Sequence, residues 1–153
     1  LLDFSFSSST TLIYFWCMNK KELLLKDCIQ AVESFHDSFG IKNEYQPIAS
    51  IDQKDFLLRH RLMKEENDEY LQAVKEGDLV EIADALGDML YILCGTILKH
   101  GMQDKIEEVF NEIQRSNMSK LDVDGKPIYR EDGKILKSDQ YFKPDLMSIL
   151  NGN

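Results

Sequence analysis

The stretch DLVEIADALGDMLYILCGTILKHG, residues 78–101, decides how this chain folds. Asp78 is a strong N-cap, and Gly101 supplies a helix stop just after Lys99 and His100. Between them apolar side chains occupy almost every side of a helix, so the helix is predicted to be buried on most faces, in part by a second subunit. Its only charges between Leu79 and Leu98 are Glu81, Asp84 and Asp88. At about 100° per residue they fall near 0°, 300° and 340°, one narrow line down the helix.

The segment before it carries a matching line. Residues 53–76 are predicted to form a helix closed by Gly77, and its inward stripe runs Leu58, Leu62, Glu66, Glu69, Ala73. Glu66 and Glu69 therefore share the side that looks inward, with Glu65 one step away. Upstream, Leu24, Cys28, Ala31, Val32, Phe35 and Phe39 mark an amphipathic helix over 20–39, stopped by Gly40. A loop with Pro47 follows, and a fourth helix is expected over 103–118. Beyond it, Val123–Pro127 and Arg130–Lys134 are turn signals around short β-prone pieces, predicting a small hairpin at 127–136 and an extended end. The expected fold is all-α: an antiparallel four-helix bundle with a short C-terminal β-hairpin and extended tail.

Length and charge bound the function. The 153 residues suit one domain, and 43% hydrophobic with 29% charged residues is the balance of a soluble globular protein. A net charge of −9 disfavours a nucleic acid polymer as partner. Cys17, Cys28 and Cys94 form no C-x-x-C pair, which reads as a reducing, cytoplasmic setting without a structural disulfide or zinc site. Residues 1–17 contain no Lys or Arg, and their apolar run from Leu12 to Cys17 is too short for a signal core or a membrane span. We expect them to be an extension outside a functional domain at 18–153, with Met18 as the natural start, and we expect no membrane partner.

Like charges in a line repel, and burying any of them is costly. No lysine or arginine precedes Lys99 on the 79–99 helix to offset Glu81, Asp84 and Asp88. A hard divalent cation, magnesium or manganese, answers the pattern better, held by oxygen ligands from two facing helices. A solvated acidic face explains the Glu65–Glu69 cluster by itself. It does not explain Asp84 and Asp88 within an apolar helix. A ferritin-like di-iron bundle needs two E-x-x-H spacings, and only Glu33–His36 supplies one. No EF-hand loop is present.

These residues resemble the all-α NTP pyrophosphohydrolase superfamily, which includes MazG-like enzymes, dimeric dUTPases and phosphoribosyl-ATP pyrophosphohydrolase. Its E-E-x-x-E is met by Glu65, Glu66 and Glu69, and the aspartate closing its E-x-x-D by Asp88 within Leu86-Gly87-Asp88-Met89-Leu90-Tyr91. Ala85 stands where the family usually has glutamate. The fourth ligand is then Asp84 or Glu81, and the segment D-A-L-G-D-M-L-Y, similar to a MazG-like subgroup, favours Asp84. The likeness runs from about Ile29 to Leu146. It takes in Phe35–Gly40, Arg115–Lys120, Lys137 and Tyr141–Pro144.

The resemblance implies cleavage of a nucleoside triphosphate between the α and β phosphates, in nucleotide-pool housecleaning. Glu66, Glu69, Asp84 and Asp88 would hold magnesium, and Glu65 would bind a further ion or orient the attacking water. Asn117 and Lys120, helped by Arg115 or Lys137, are candidates for the far phosphates. His36 and Tyr91 are candidates near the nucleotide, whereas Phe35 and Phe39 read more naturally as core. A homodimer or homotetramer is expected. The rival readings are a dedicated phosphoribosyl-ATP or dUTP pyrophosphohydrolase, and a non-catalytic helical interaction module.

Overall fold

The computed structural model describes residues 23–152, so the expected extension at 1–17 and start at Met18 lie outside the described residues. The described chain is helical: α1 (Leu25–Ser38), α2 (Gln53–Glu76), α3 (Leu79–Lys99), α4 (Ile106–Met118) and α5 (Leu146–Asn151). No helix in it is long and apolar enough to cross a membrane.

Local chemistry sets the ends of the central pair. The Asp52 side chain accepts from the Lys54 amide at the start of α2. Asp78 accepts from the amides of Val80 and Glu81 at the start of α3. Between the two helices Gly77 adopts φ 72°. The Asp78 amide then donates back to the Ala73 carbonyl at 3.0 Å and the Gly77 amide to Val74 at 3.3 Å. This closes α2 and reverses the chain within a single left-handed residue. α2 and α3 consequently pack along each other more extensively than any other pair. Small buried side chains, Ala73 on α2 and Ala85 on α3, lie near the closed end.

The core lies between α1 and the second half of α3. Ile29, Val32, Cys94, Ile97 and Leu98 form it, with Leu25, Cys28, Met102 and Ile106 against its edges. Cys28 and Cys94 are free thiols. α3 is far less buried than its composition predicts, since Leu79, Val80, Leu86, Leu90 and Leu93 stay exposed.

The loop between α1 and α2 closes the end of α3. The Glu44 and Ile48 amides donate to the carbonyls of Leu98 and His100, each at 3.0 Å. Lys99 Nζ, almost fully buried, donates to the Lys42 carbonyl at 2.8 Å and pairs with Asp55 at 2.5 Å. Gly101 adopts φ 64° beneath this loop, where a Cβ would lie 2.1 Å from the Gln46 carbonyl oxygen. Only glycine fits there, on conformation and on space.

Two expectations for the C-terminal region need correction. Residues 127–136 make one antiparallel bridge, Tyr129 to Ile135, and no strand forms among the described residues. Only two hydrogen bonds tie the arms, Arg130 to Lys134 and Leu136 to Ile128, both 2.8 Å. Pro127 offers no further donor, and no third segment among the described residues supports the pair. The extended end is in fact partly helical: Asp145 caps α5 by accepting from the Ser148 amide and hydroxyl. The intervening chain docks on α4, where Ser116 Oγ donates to the Phe142 carbonyl at 2.8 Å.

Candidate active site

Glu66 stands at the meeting of the two acidic lines. It is half-buried on α2, whereas Glu65, Glu69, Asp84 and Asp88 are exposed around it. Burial first, and then the charges of Glu69, Asp88, Asp84 and Glu65, raise its carboxyl above the usual range. Carboxylates of α2 and α3 thus act on one another across the helix pair. Glu66, Glu69, Asp84 and Asp88 make no ion pair with Lys or Arg among the described residues. Glu65 lies 3.8 Å from Arg61 Nε, an exposed pair of little energetic weight. Glu81 borders a neighbouring depression of about 320 Å³ together with Glu69, Gln72, Ala73 and Glu76. Ala85 is buried, so its neighbour Asp84 is the carboxylate presented at this level of α3. As placed, no group of three or more His, Cys, Asp or Glu side chains among the described residues is gathered closely enough to grip an ion. The donor set nevertheless fits a hard divalent cation: it is all carboxylate oxygen, mutually repelling and without cationic partners among the described residues.

Glu66 and Asp88 also belong to a cavity of about 260 Å³ that runs between α1, α2 and α3. Its walls are Val32, Phe35, Ile41, Leu62, Tyr91 and Ile92, with His36 and Arg59 supplying polarity. Tyr91 meets Phe35 edge-on, centroids 5.7 Å apart at 84°. Phe35 and Phe39 stack at 4.3 Å and both remain exposed, so neither is the core residue its spacing predicts. His36 is buried, and its Nδ1 lies 2.5 Å from Asn43 Oδ1, which fixes the ring from the loop side.

Arg59 and Ile41 escape the sequence reading, whereas Leu62 lines the cavity from the inward stripe where its spacing put it. Arg59 stands seven residues before Glu66 on the same side of α2. That register was its available signal. Its Nε is buried without a hydrogen-bond partner among the described residues. Burial lowers its proton affinity and the charge of Asp55 opposes the shift. Gly95 makes its place: a Cβ there would lie 2.8 Å from Arg59 Nη1 and 3.1 Å from His36 Nε2.

The expected phosphate-binding residues gather elsewhere. Lys120 Nζ donates to Asn117 Oδ1 at 2.8 Å at the end of α4. Arg115 grips Glu112 through two bonds of 2.7 and 2.8 Å, and its guanidinium covers the Phe142 ring at 4.3 Å. Lys137 lies over the Tyr141 ring at 4.2 Å. None of the four lines the cavity of Glu66 and Asp88.

Comparison with known proteins bears on this geometry. The sequence pattern of the phosphoribosyl-ATP pyrophosphohydrolase family matches residues 32–117, more than half of the chain and all of the facing carboxylates. The chain is also similar to a crystal structure of a candidate NTP pyrophosphohydrolase from Exiguobacterium sp. 255-15. Identity is 27%, coverage 82% of this chain and 92% of that one, and the TM-score 0.43. A search of curated proteins finds no significant match.

Proposed function

The chain belongs to the phosphoribosyl-ATP pyrophosphohydrolase family, and from that premise we propose that it cleaves a nucleoside triphosphate between the α and β phosphates with magnesium bound at the facing carboxylates. Hydrolysis of a phosphoric anhydride follows from the family. The observation that carries metal-bound cleavage is the crowding of Glu69, Asp84 and Asp88 on half-buried Glu66.

Glu66, Glu69, Asp84 and Asp88 are the residues that would hold magnesium or manganese. The bound metal would neutralise phosphate oxygens and lower the pKa of a water. Glu65, exposed beside them, takes the proton as water attacks the α phosphorus. The bond to the bridging oxygen breaks, and pyrophosphate leaves. The aromatic edge of Phe35 and Tyr91 receives the base and keeps water from it, while Asn117 and Lys120 meet the far phosphates. Arg115 and Lys137, engaged with Glu112 and Tyr141, are assigned to the tail instead.

We also assign the chain to a cytoplasmic homodimer or homotetramer. The groove of about 630 Å³ lined by His60, Met63, Asn67, Met89, Leu90 and Leu93 supports this, as a second copy would cover it. A second reading, phosphoribosyl-ATP as the dedicated substrate, is favoured by the description of the matching family.

Pyrophosphate release from a panel of ribo- and deoxynucleoside triphosphates and phosphoribosyl-ATP, with magnesium and with manganese, tests both. Turnover of phosphoribosyl-ATP alone selects the second reading. Unchanged turnover by Glu66→Ala would end the metal-site assignment and leave the acidic line a structural feature.

A further inference from the structure

We propose that Arg59 reads the base of the substrate, selecting bases that carry a carbonyl oxygen on the edge away from the sugar. The inference rests on the hydrolase reading above and adds a specificity to it. Three observations carry it. First, Arg59 lines the cavity of Glu66 and Asp88, and its Nε, closed off from solvent behind that lining, has no acceptor among the described residues. Second, the neighbouring carboxylate is committed elsewhere: Asp55 pairs with Lys99 at 2.5 Å. Third, α3 leaves room for the guanidinium only because residue 95 is glycine.

The cavity has a direction. Seven residues along a helix span about 10 Å, so Arg59 lies that far from Glu66 toward the start of α2. A triphosphate anchored at Glu66 and Asp88 enters base first, and its base extends along the Phe35–Tyr91 edge toward Arg59 and His36. The base edge farthest from the sugar arrives at the guanidinium. Arginine has donors only. Uracil and hypoxanthine present a carbonyl oxygen there, whereas cytosine and adenine present an amino group, donor against donor. A buried donor left without an acceptor is costly, so the mismatch is rejected.

The test is kcat/KM for pyrophosphate release with magnesium on two matched pairs, UTP against CTP and ITP against ATP. The wild-type chain is expected to favour the carbonyl member of each pair by more than about 10-fold. Arg59→Met should bring both ratios to within roughly threefold of one, with the loss falling on UTP and ITP. Arg59→Lys, which keeps donors but loses the planar fork, should retain part of the preference and covers the case in which Arg59→Met fails to fold. Wild-type ratios near one or reversed overturn the proposal, as does a loss shared equally by all four substrates. A wild-type chain inactive on every triphosphate overturns the nucleoside triphosphate reading instead. Calorimetric binding of UMP against CMP then decides the base reading on its own: equal affinities end it, and a preference for UMP that Arg59→Met abolishes sustains it.

Discussion

The two acidic regions of this molecule treat charge in opposite ways. Along α4 and the tail, charges are answered locally: Glu112 by Arg115 and the Asp145 amide, Asp132 by Arg130, Asp145 by Ser148. Along α2 and α3, Glu66, Glu69, Asp84 and Asp88 stand together with no Lys or Arg against them among the described residues. The carboxyl of Glu112 is held below the usual range by Arg115 first, then by the Asp145 amide. That of Glu66 is raised by burial and by its like-charged neighbours. Compensated charge holds a fold together. Uncompensated charge stands against stability, and the proposed metal would answer it.

The largest expected effect breaks the acidic pair itself. Asp88→Ala or Glu66→Ala should cut magnesium-dependent pyrophosphate release by roughly 100-fold or more, at or above the losses known for residues that merely support a metal ligand. Circular dichroism should show the fold intact. Survival of activity would put the site elsewhere.

The opposite pKa directions predict opposite acid behaviour, read as melting temperature against pH without added metal. Glu112 contributes stability above its unfolded pKa, which is lost as pH falls through its lower folded value. The wild-type advantage over Glu112→Gln should therefore shrink in acid. Glu66 has a raised folded pKa, so its favourable contribution exists below the unfolded value and is lost as pH rises through the folded one. Glu66→Gln should melt higher than wild type near neutrality, and the gap should close in acid. Curves of the same slope for both variants would erase the contrast.

Smaller effects are expected on the tail side. Lys120→Ala should raise KM by roughly 3- to 10-fold with kcat nearly unchanged, as for a group that binds substrate and transition state alike. Arg115→Ala should lower the melting temperature and change kcat/KM by no more than about twofold, since its contacts are with Glu112 and Phe142. A larger kinetic loss would return Arg115 to the substrate.

The helix pair that carries the carboxylates was legible because its signals are local. Asp52, Gly77 and Asp78 each act within a few residues, and α2 begins at Gln53 and ends at Glu76 as the spacing predicts. Charge within an apolar helix also needs no long-range knowledge to stand out. Other features depend on chain that returns from far away. Phe35 and Phe39 have core spacing, yet both stay exposed, stacked on each other with Tyr91 against the edge of Phe35. The hairpin was drawn from turn residues, but pairing needs a supporting segment that turn chemistry cannot announce. Arg59 went unread because arginine on a helix is ordinarily solvated. Only the fold reveals Gly95 opposite it. Asp84 against Glu81 was left to resemblance, since spacing alone puts both on the acidic line of α3.

Gly101, pressed under the Gln46 carbonyl, has a reach beyond the helix it ends. The loop it locks also supplies Ile41 to the cavity wall and Asn43 to the His36 ring. One wall of the pocket is therefore set during folding and not on ligand arrival, so little ordering entropy is left for binding to overcome there. For anyone reshaping this pocket, the loop is a poor place to vary in length, because an insertion would unseat the end of α3 together with His36. Ile41 alone, exchanged for a smaller side chain, offers room without disturbing the anchor.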